Sequence, residues 1–266
     1  MKRSTYYDYQ NNVHVRPAQW AEICKNVKKA FEKSHRRFGF RMLAGNMQRL
    51  VGVRYSESTV KKAMREMGLK GKYKQTRHKR STPGPESEKS PNELKRQFEA
   101  SKPNEKWVTD VTECKVAGKR VFMSLIMDLY SRKIIGRSMS TSPTVEFVLE
   151  SLRDAVNHGG SVENVLIHSD QGFQYSHKLW RAELRKIGAK QSMSRRGCCY
   201  DNAVIESFFG TMKREMFHKE HFDSVDDLVK AVNEYIDWYN EHRSKEVLQW
   251  MTPAEKHTEG LAQLSH

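Results

Sequence analysis

Long apolar runs, paired cysteines and, over its first third, acidic residues are scarce in this sequence of 266 residues. A membrane helix needs roughly 20 consecutive apolar residues. The most apolar segment, Val121 to Tyr130, is broken by Ser124 and Asp128, and the opening Met1-Lys-Arg-Ser-Thr-Tyr-Tyr-Asp8 has no apolar core of the signal-peptide kind. A cytosolic protein is the expectation. Of the four cysteines, Cys24 and Cys114 are isolated, while Cys198 and Cys199 are adjacent and lack the Cys-x-x-Cys spacing of a zinc site. None of the eleven histidines pairs with a cysteine at zinc-finger spacing, so neither structural zinc nor a disulfide framework is expected. Residues 1–90 hold 22 lysines and arginines against 7 acidic residues, an excess of 15 that equals the excess of the whole chain.

So lopsided a charge points to a polyanionic partner, because each neutralised nucleic-acid phosphate releases condensed counterions. A basic tail that serves only solubility is the alternative. Against it, Phe31, Phe38, Phe40, Leu43, Leu50, Val60 and Leu69 are interleaved with the basic residues, which predicts a folded segment. Apolar spacings of three and four predict a helix over 18–34 and another over about 40–50. Gly52 then interrupts, and a third helix follows within 58–67, with a capping serine at Ser56 and a stop at Gly68. Three short basic helices with a tight turn before the last suggest a helix-turn-helix over residues 1–70. Its final helix would carry Lys61, Lys62 and Arg65 to a major groove. Pure packing modules share this pattern. Residues 71–104 read as a linker, basic at first, broken at Ser81-Thr-Pro-Gly-Pro85 and containing one helical turn at 92–100.

From Lys106 the periodicity changes to that of strands: Trp107–Val116, a turn at Ala117-Gly118, Arg120–Leu129 and Lys133–Met139. A helix from Pro143 to Asn157, a buried strand over 162–167, a helix over 176–187, a strand over 189–193 and a helix from Asp201 or Asn202 follow. The order resembles an α/β fold, a ribonuclease-H-like mixed-sheet core over 105–220 preceded by the small all-α domain. A C-terminal helical extension, 221–266, includes an amphipathic helix over 224–242.

Within this frame three carboxylates stand out. Asp110 alternates with Val108 and Thr112 on the first strand, Asp170 follows the buried strand, and Glu206 lies one turn into the later helix, with 35 residues between the last two. Ligands of open α/β sheets bind at the carboxyl ends of strands. Convergent carboxylate oxygens suit magnesium or manganese, and two such ions can activate a hydroxyl and steady a leaving oxygen in phosphodiester chemistry. Lys213, two helical turns beyond Glu206 on the same face, is placed to hold a DNA phosphate, and Arg195 and Arg196 form a basic loop suited to the same task. Asp128 is expected to fix the turn at Ser131 and Arg132, His168 to hydrogen-bond, and Asp201 and Asn202 to cap a helix.

The strings Trp107-Val-Thr-Asp-Val-Thr-Glu113, His168-Ser-Asp-Gln-Gly-Phe-Gln-Tyr175 and Tyr200-Asp-Asn-Ala-Val-Ile-Glu-Ser-Phe-Phe209, with Lys213, resemble the integrase-core signature of bacterial insertion-sequence transposases. The closest likeness is to the second reading frame of the IS-three family. It extends to His35-Arg-Arg-Phe-Gly-Phe-Arg41, Tyr235-Ile-Asp-Trp-Tyr-Asn240 and Thr252-Pro-Ala-Glu255. The resemblance implies that Asp110, Asp170 and Glu206 are a catalytic triad binding magnesium or manganese, and that the enzyme nicks element ends and joins the freed 3′-hydroxyl to new phosphodiester bonds. It also implies a first-reading-frame protein as partner, and a bacterial, nucleoid-associated location when DNA is bound. Synapsis of two ends predicts a homo-oligomer. Arg243-Ser-Lys-Glu-Val-Leu248 departs from the family's Arg-x-His-x-x-Leu arrangement, and no catalytic role is assigned to it. A regulator that binds DNA without cleaving it and a ribonuclease acting on RNA–DNA hybrids are the rival functions.

Overall fold

The computed structural model describes residues 15–71, 90–159, 162–195, 199–217 and 220–264, and the chain divides into two compact units, Met1–Thr76 and Arg77–His266. In the first unit α1 (Val15–Lys33), α2 (Phe40–Val51) and α3 (Glu57–Glu66) pack on one another. Their contact is apolar: Val27, Ala30 and Phe31 of α1 are buried with Leu43 and Met47 of α2 and Val60, Ala63 and Met64 of α3. Gly52 ends α2 in the left-handed region at φ 77°, which a side chain would resist. Ser56 caps α3, its Oγ accepting the Thr59 amide at 3.2 Å. Both features match the sequence pattern.

The second unit is built on a five-stranded sheet in the order β3-β2-β1-β4-β5. The strands are β1 (Lys106–Val116), β2 (Lys119–Asp128), β3 (Ile134–Ser140), β4 (Leu166–Ser169) and β5 (Lys190–Met193). The first three form an antiparallel meander, while β4 and β5 run parallel to β1. Ala117 and Gly118, both at positive φ, make the tight turn between β1 and β2. One face of the sheet is covered by α4 (Val145–Gly159), the single turn α5 (Phe173–Ser176) and α6 (Lys178–Lys186). The other carries α7 (Ala203–Glu215) and α8 (Val225–His242), and α9 (Pro253–Leu264) packs on α8. Pleating sends Trp107 and Val111 to the first core and Val108, Cys114 and Val116 to the second.

Two sequence expectations need correction. The helical turn expected at 92–100 is instead an extended strap with one tight turn, because Lys95 and Arg96 adopt left-handed φ values of 48° and 63°. The strap is pinned to the sheet, with Leu94 buried and the Glu93 and Leu94 amides donating to Ser192 Oγ at 3.0 and 3.1 Å. The strand expected from Val162 begins only at Leu166: Asn164 sits at φ 64° and the Val165 amide donates to the Val162 carbonyl, so Glu163-Asn164 forms a turn. The helix expected over 176–187 is present as α6, its start set by His177, whose backbone is extended and whose Nδ1 accepts the Leu179 amide.

Candidate catalytic site

β1 and β4 lie side by side with Val108 opposite His168. Two residues beyond that pair, Asp110 lies in the middle of β1 and Asp170 directly follows the carboxyl end of β4. Asp110 shares the face of Val108 and Cys114, which is the face covered by α7, and Glu206 lies in the first turn of that helix. An acid there is also favoured by the positive end of the helix dipole. The sheet and the helix thus bring together the three acids that the sequence singled out.

Their electrostatics record the approach. Asp110 is half-buried and Asp170 exposed at the rim, but protein crowds the inner side of both carboxyls. Loss of water there raises the Asp110 pKa well above the ordinary carboxylate value, and the charges of Asp170 and then Glu206 raise it further, while the Val111 amide and Lys213 oppose them. Burial raises Asp170 too, against the Gly172 amide, which donates to its Oδ1 at 2.8 Å. Among the described residues no three histidine, cysteine or acidic side chains close tightly enough to wrap an ion as they stand. The donor set is nevertheless all oxygen and mutually repulsive, which fits a hard divalent cation and disfavours zinc.

Lys213 Nζ donates to Thr112 Oγ1 at 2.6 Å and to the Glu113 carbonyl at 3.0 Å, which bolts α7 to β1 beside Asp110. Arg195, expected in a basic loop, is tied to the buried carboxylate of Asp201 through its amide at 3.1 Å and Nε at 3.1 Å; Arg196 lies outside the described residues. In the first unit Lys61 stands over the Phe40 ring at 5.3 Å and Lys62 over the Trp20 ring at 4.6 Å, while Arg65 is exposed near the end of α3. These three are not brought to the acids within either unit.

Helix capping by Asp201 and Asn202 is not what the structure shows. Asp201 also accepts from Asn92 Nδ2 at 2.9 Å and Arg96 Nε at 2.7 Å, a hub that holds its pKa far below the usual range. Asn202 occupies the cap position of α7 without a capping bond, and its Nδ2 donates instead to the Thr109 carbonyl, one residue before Asp110. The sequence hid this because Asn92, Arg96 and Thr109 are about 90 residues or more away. Asp128 does fix its turn, accepting the Ser131 amide at 2.8 Å and hydroxyl at 2.6 Å. His168 is fully buried between Ser192 Oγ, 2.8 Å from Nδ1, and Ser194 Oγ, 3.0 Å from Nε2. Burial pushes its pKa down to about 4, so it is neutral and hydrogen-bonding, as expected.

Comparison with known proteins bears on the family and the fold. Residues 100–199 and 206–260 match family models of the integrase core domain, and residues 19–77 match an HTH-like domain. The chain is 38% identical over 253 residues to InsK of insertion sequence element IS150 from Escherichia coli (strain K12), covering 95% of this chain and 88% of InsK. It is 33% identical to the transposase InsF of insertion sequence IS3A from the same organism, over 92% of this chain and 85% of InsF. A chain of the simian T-cell lymphotropic virus intasome, solved in complex with PP2A regulatory subunit B56 gamma, superposes with a TM-score of 0.52 at 14% identity, over 87% of this chain and 74% of that one, a likeness of fold alone. With relatives this similar over nearly their full length, the chain belongs to the IS3 family of insertion-sequence transposases, and with its integrase core it is a polynucleotidyl transferase acting on DNA.

Proposed function

We propose that Asp110, Asp170 and Glu206 form the metal-binding catalytic triad of this transposase, which cuts insertion-sequence ends and transfers the freed strand to target DNA. What supports the reading is that Asp110, in the middle of β1, feels the charges of Asp170, which directly follows the adjacent parallel strand β4, and of Glu206 on α7. Magnesium or manganese, as a pair of ions held by these carboxylates, would supply activation of the attacking oxygen and stabilisation of the leaving one. The protein's own part is positional. β1 and β4 present the two aspartates rigidly, and the Lys213 bond to Thr112 and the Asn202 bond to the Thr109 carbonyl hold α7 against the strand that carries Asp110. His168, neutral and engaged on both ring nitrogens, takes no proton.

On this reading Lys213 and the loop of Arg195 and Arg196 lie along the path of the DNA, and Lys61, Lys62 and Arg65 of α3 contact phosphates of duplex DNA. Two element ends are joined by a homo-oligomer, with the first-reading-frame protein as partner in end recognition. The domain limits of the sequence reading, 1–70, 71–104, 105–220 and 221–266, are kept as functional divisions, although residues 90–104 pack on the catalytic sheet. The test is to incubate the purified chain with labelled element ends and magnesium. The reading expects joined 3′-ends from the native chain. For Asp170→Asn it expects joining reduced by about 10³-fold or more with DNA affinity kept, since single removals from a cooperating site cost nearly all its catalysis. Joining by Asp170→Asn at the native rate would refute it.

A further inference from the structure

Beside α7, on the side of Ala203 and Ser207, a cleft of about 290 Å³ is lined by three cationic side chains, Arg132, Arg243 and Lys245, and by no acidic one. Val247, on its wall, is 67% exposed, so the cleft reaches the surface. The cations come from two connections: Arg132 from the turn after β2, and Arg243 and Lys245 from the segment that follows α8. The Arg243 charge is balanced from behind by Glu215, whose Oε1 accepts its Nη2 at 2.8 Å and whose Oε2 accepts the Tyr235 hydroxyl at 2.8 Å. Among the described residues neither of the other two forms such an ion pair, although the charges of Asp128 and Glu99 reach Arg132 and that of Glu215 reaches Lys245. Arg132 donates from Nη2 to the Phe98 carbonyl at 3.1 Å, but its buried Nη1 has no hydrogen-bond partner among the described residues. Lys245 donates to the neutral Tyr239 hydroxyl at 2.7 Å. The nearby carboxylate of Asp128 is taken up by Asn104 and Ser131.

Buried donors without acceptors are costly, and a guanidinium beside an ammonium is more so. We propose that this cleft is a phosphate-binding site, distinct from the three acids, that takes a backbone phosphate of the DNA substrate. Arg132 and Lys245 supply its positive charge and the exposed Ser207 hydroxyl a donor, and the apolar wall of Phe208 and Val247 faces the adjoining sugar. Burial and the flanking guanidiniums push the Lys245 pKa down to about 7, a penalty that a bound anion would relieve. Because Ser207 follows Glu206 on α7, a strand held here is anchored on the helix that carries the third acid. The proposal rests on the reading of the chain as a DNA strand transferase for the source of the phosphate.

The test is a lysine-acetylation footprint of the native full chain, read by mass spectrometry at Lys245 and at Lys61 and Lys62, alone, with duplex DNA and with inorganic phosphate. Protection of Lys245 by DNA, and more weakly by phosphate, is expected. Protection of Lys61 and Lys62 by DNA with Lys245 unchanged would overturn the site while leaving DNA binding intact. Protection of Lys245 by phosphate alone would overturn its assignment to DNA, and absence of DNA protection at every lysine would count against the nucleic-acid reading itself. In parallel, Lys245→Gln should weaken DNA binding about tenfold and lower the salt dependence by about one phosphate contact. Unchanged affinity and slope would contradict the proposal.

Discussion

At Asp110, burial and two neighbouring negative charges both favour the protonated acid, so the metal-free fold is destabilised by its own site at neutral pH. Asp110→Asn should therefore raise the melting temperature of the metal-free protein by about 2–4 °C, the equivalent of roughly 1 kcal/mol for a unit of this size. Magnesium should stabilise the native chain and leave the variant unmoved, as read by thermal denaturation with and without the ion. Lys245 gives a pH test. Its pKa falls from 10.5 to about 7 through burial, Arg243 and Arg132, with Glu215 opposing, so between those values the unfolded chain binds a proton that the folded chain does not. Stability from this group therefore rises as pH climbs from about 7 toward 10.5. Urea midpoints at pH 7 and 9 should show this rise in the native chain and a flatter profile in Lys245→Met. The approach of the three acids to one another was legible because strand alternation, strand end and helix register each position one of them. The Asp201 hub was not, since only tertiary structure brings it to Asn92 and Arg96.

Elements were legible where local chemistry decides them. The Gly52 stop, the Ser56 cap and the Ala117-Gly118 turn are written in single residues, and the helices of the first unit follow apolar spacing. Periodicity failed where a short turn interrupts an apolar run, as at Glu163-Asn164 before β4, and where a tertiary contact replaces a helix, as in the strap pinned by Ser192. Two glycines distinguish packing from propensity. A Cβ on Gly136 of β3 would overlap the Ser151 carbonyl of α4 and meet Ala155 Cβ at 2.7 Å, so Gly136→Ala should cost about 2–3 kcal/mol by forcing helix and sheet apart. On Gly210 of α7 the nearest atom is the mobile tip of Arg214 at 3.1 Å, and Gly210→Ala should gain about 0.5–1 kcal/mol of helix propensity. Denaturant unfolding of both variants checks the pair; equal effects would contradict the assigned packing.

Across the whole molecule the charge asymmetry is the most general feature: the first 90 residues hold the entire excess of 15, while the remainder, which carries the three acids, is neutral overall. DNA affinity should fall steeply with salt, and Lys61→Ala, Lys62→Ala and Arg65→Ala should each reduce the slope of log affinity against log salt by about one. Slopes unchanged in all three would remove α3 from the DNA interface. Among the described residues no helix is long and apolar enough to cross a membrane. The fold class was legible from element order because a meander followed by two parallel strands leaves few ways to order the sheet. The measurement that bears most directly on the account is calorimetric titration of manganese into the native chain and into Asp110→Asn, Asp170→Asn and Glu206→Gln. Saturable binding by the native chain, lost in both aspartate variants and weakened in the glutamate variant, is the predicted result; native-like binding in all three would contradict a shared metal centre.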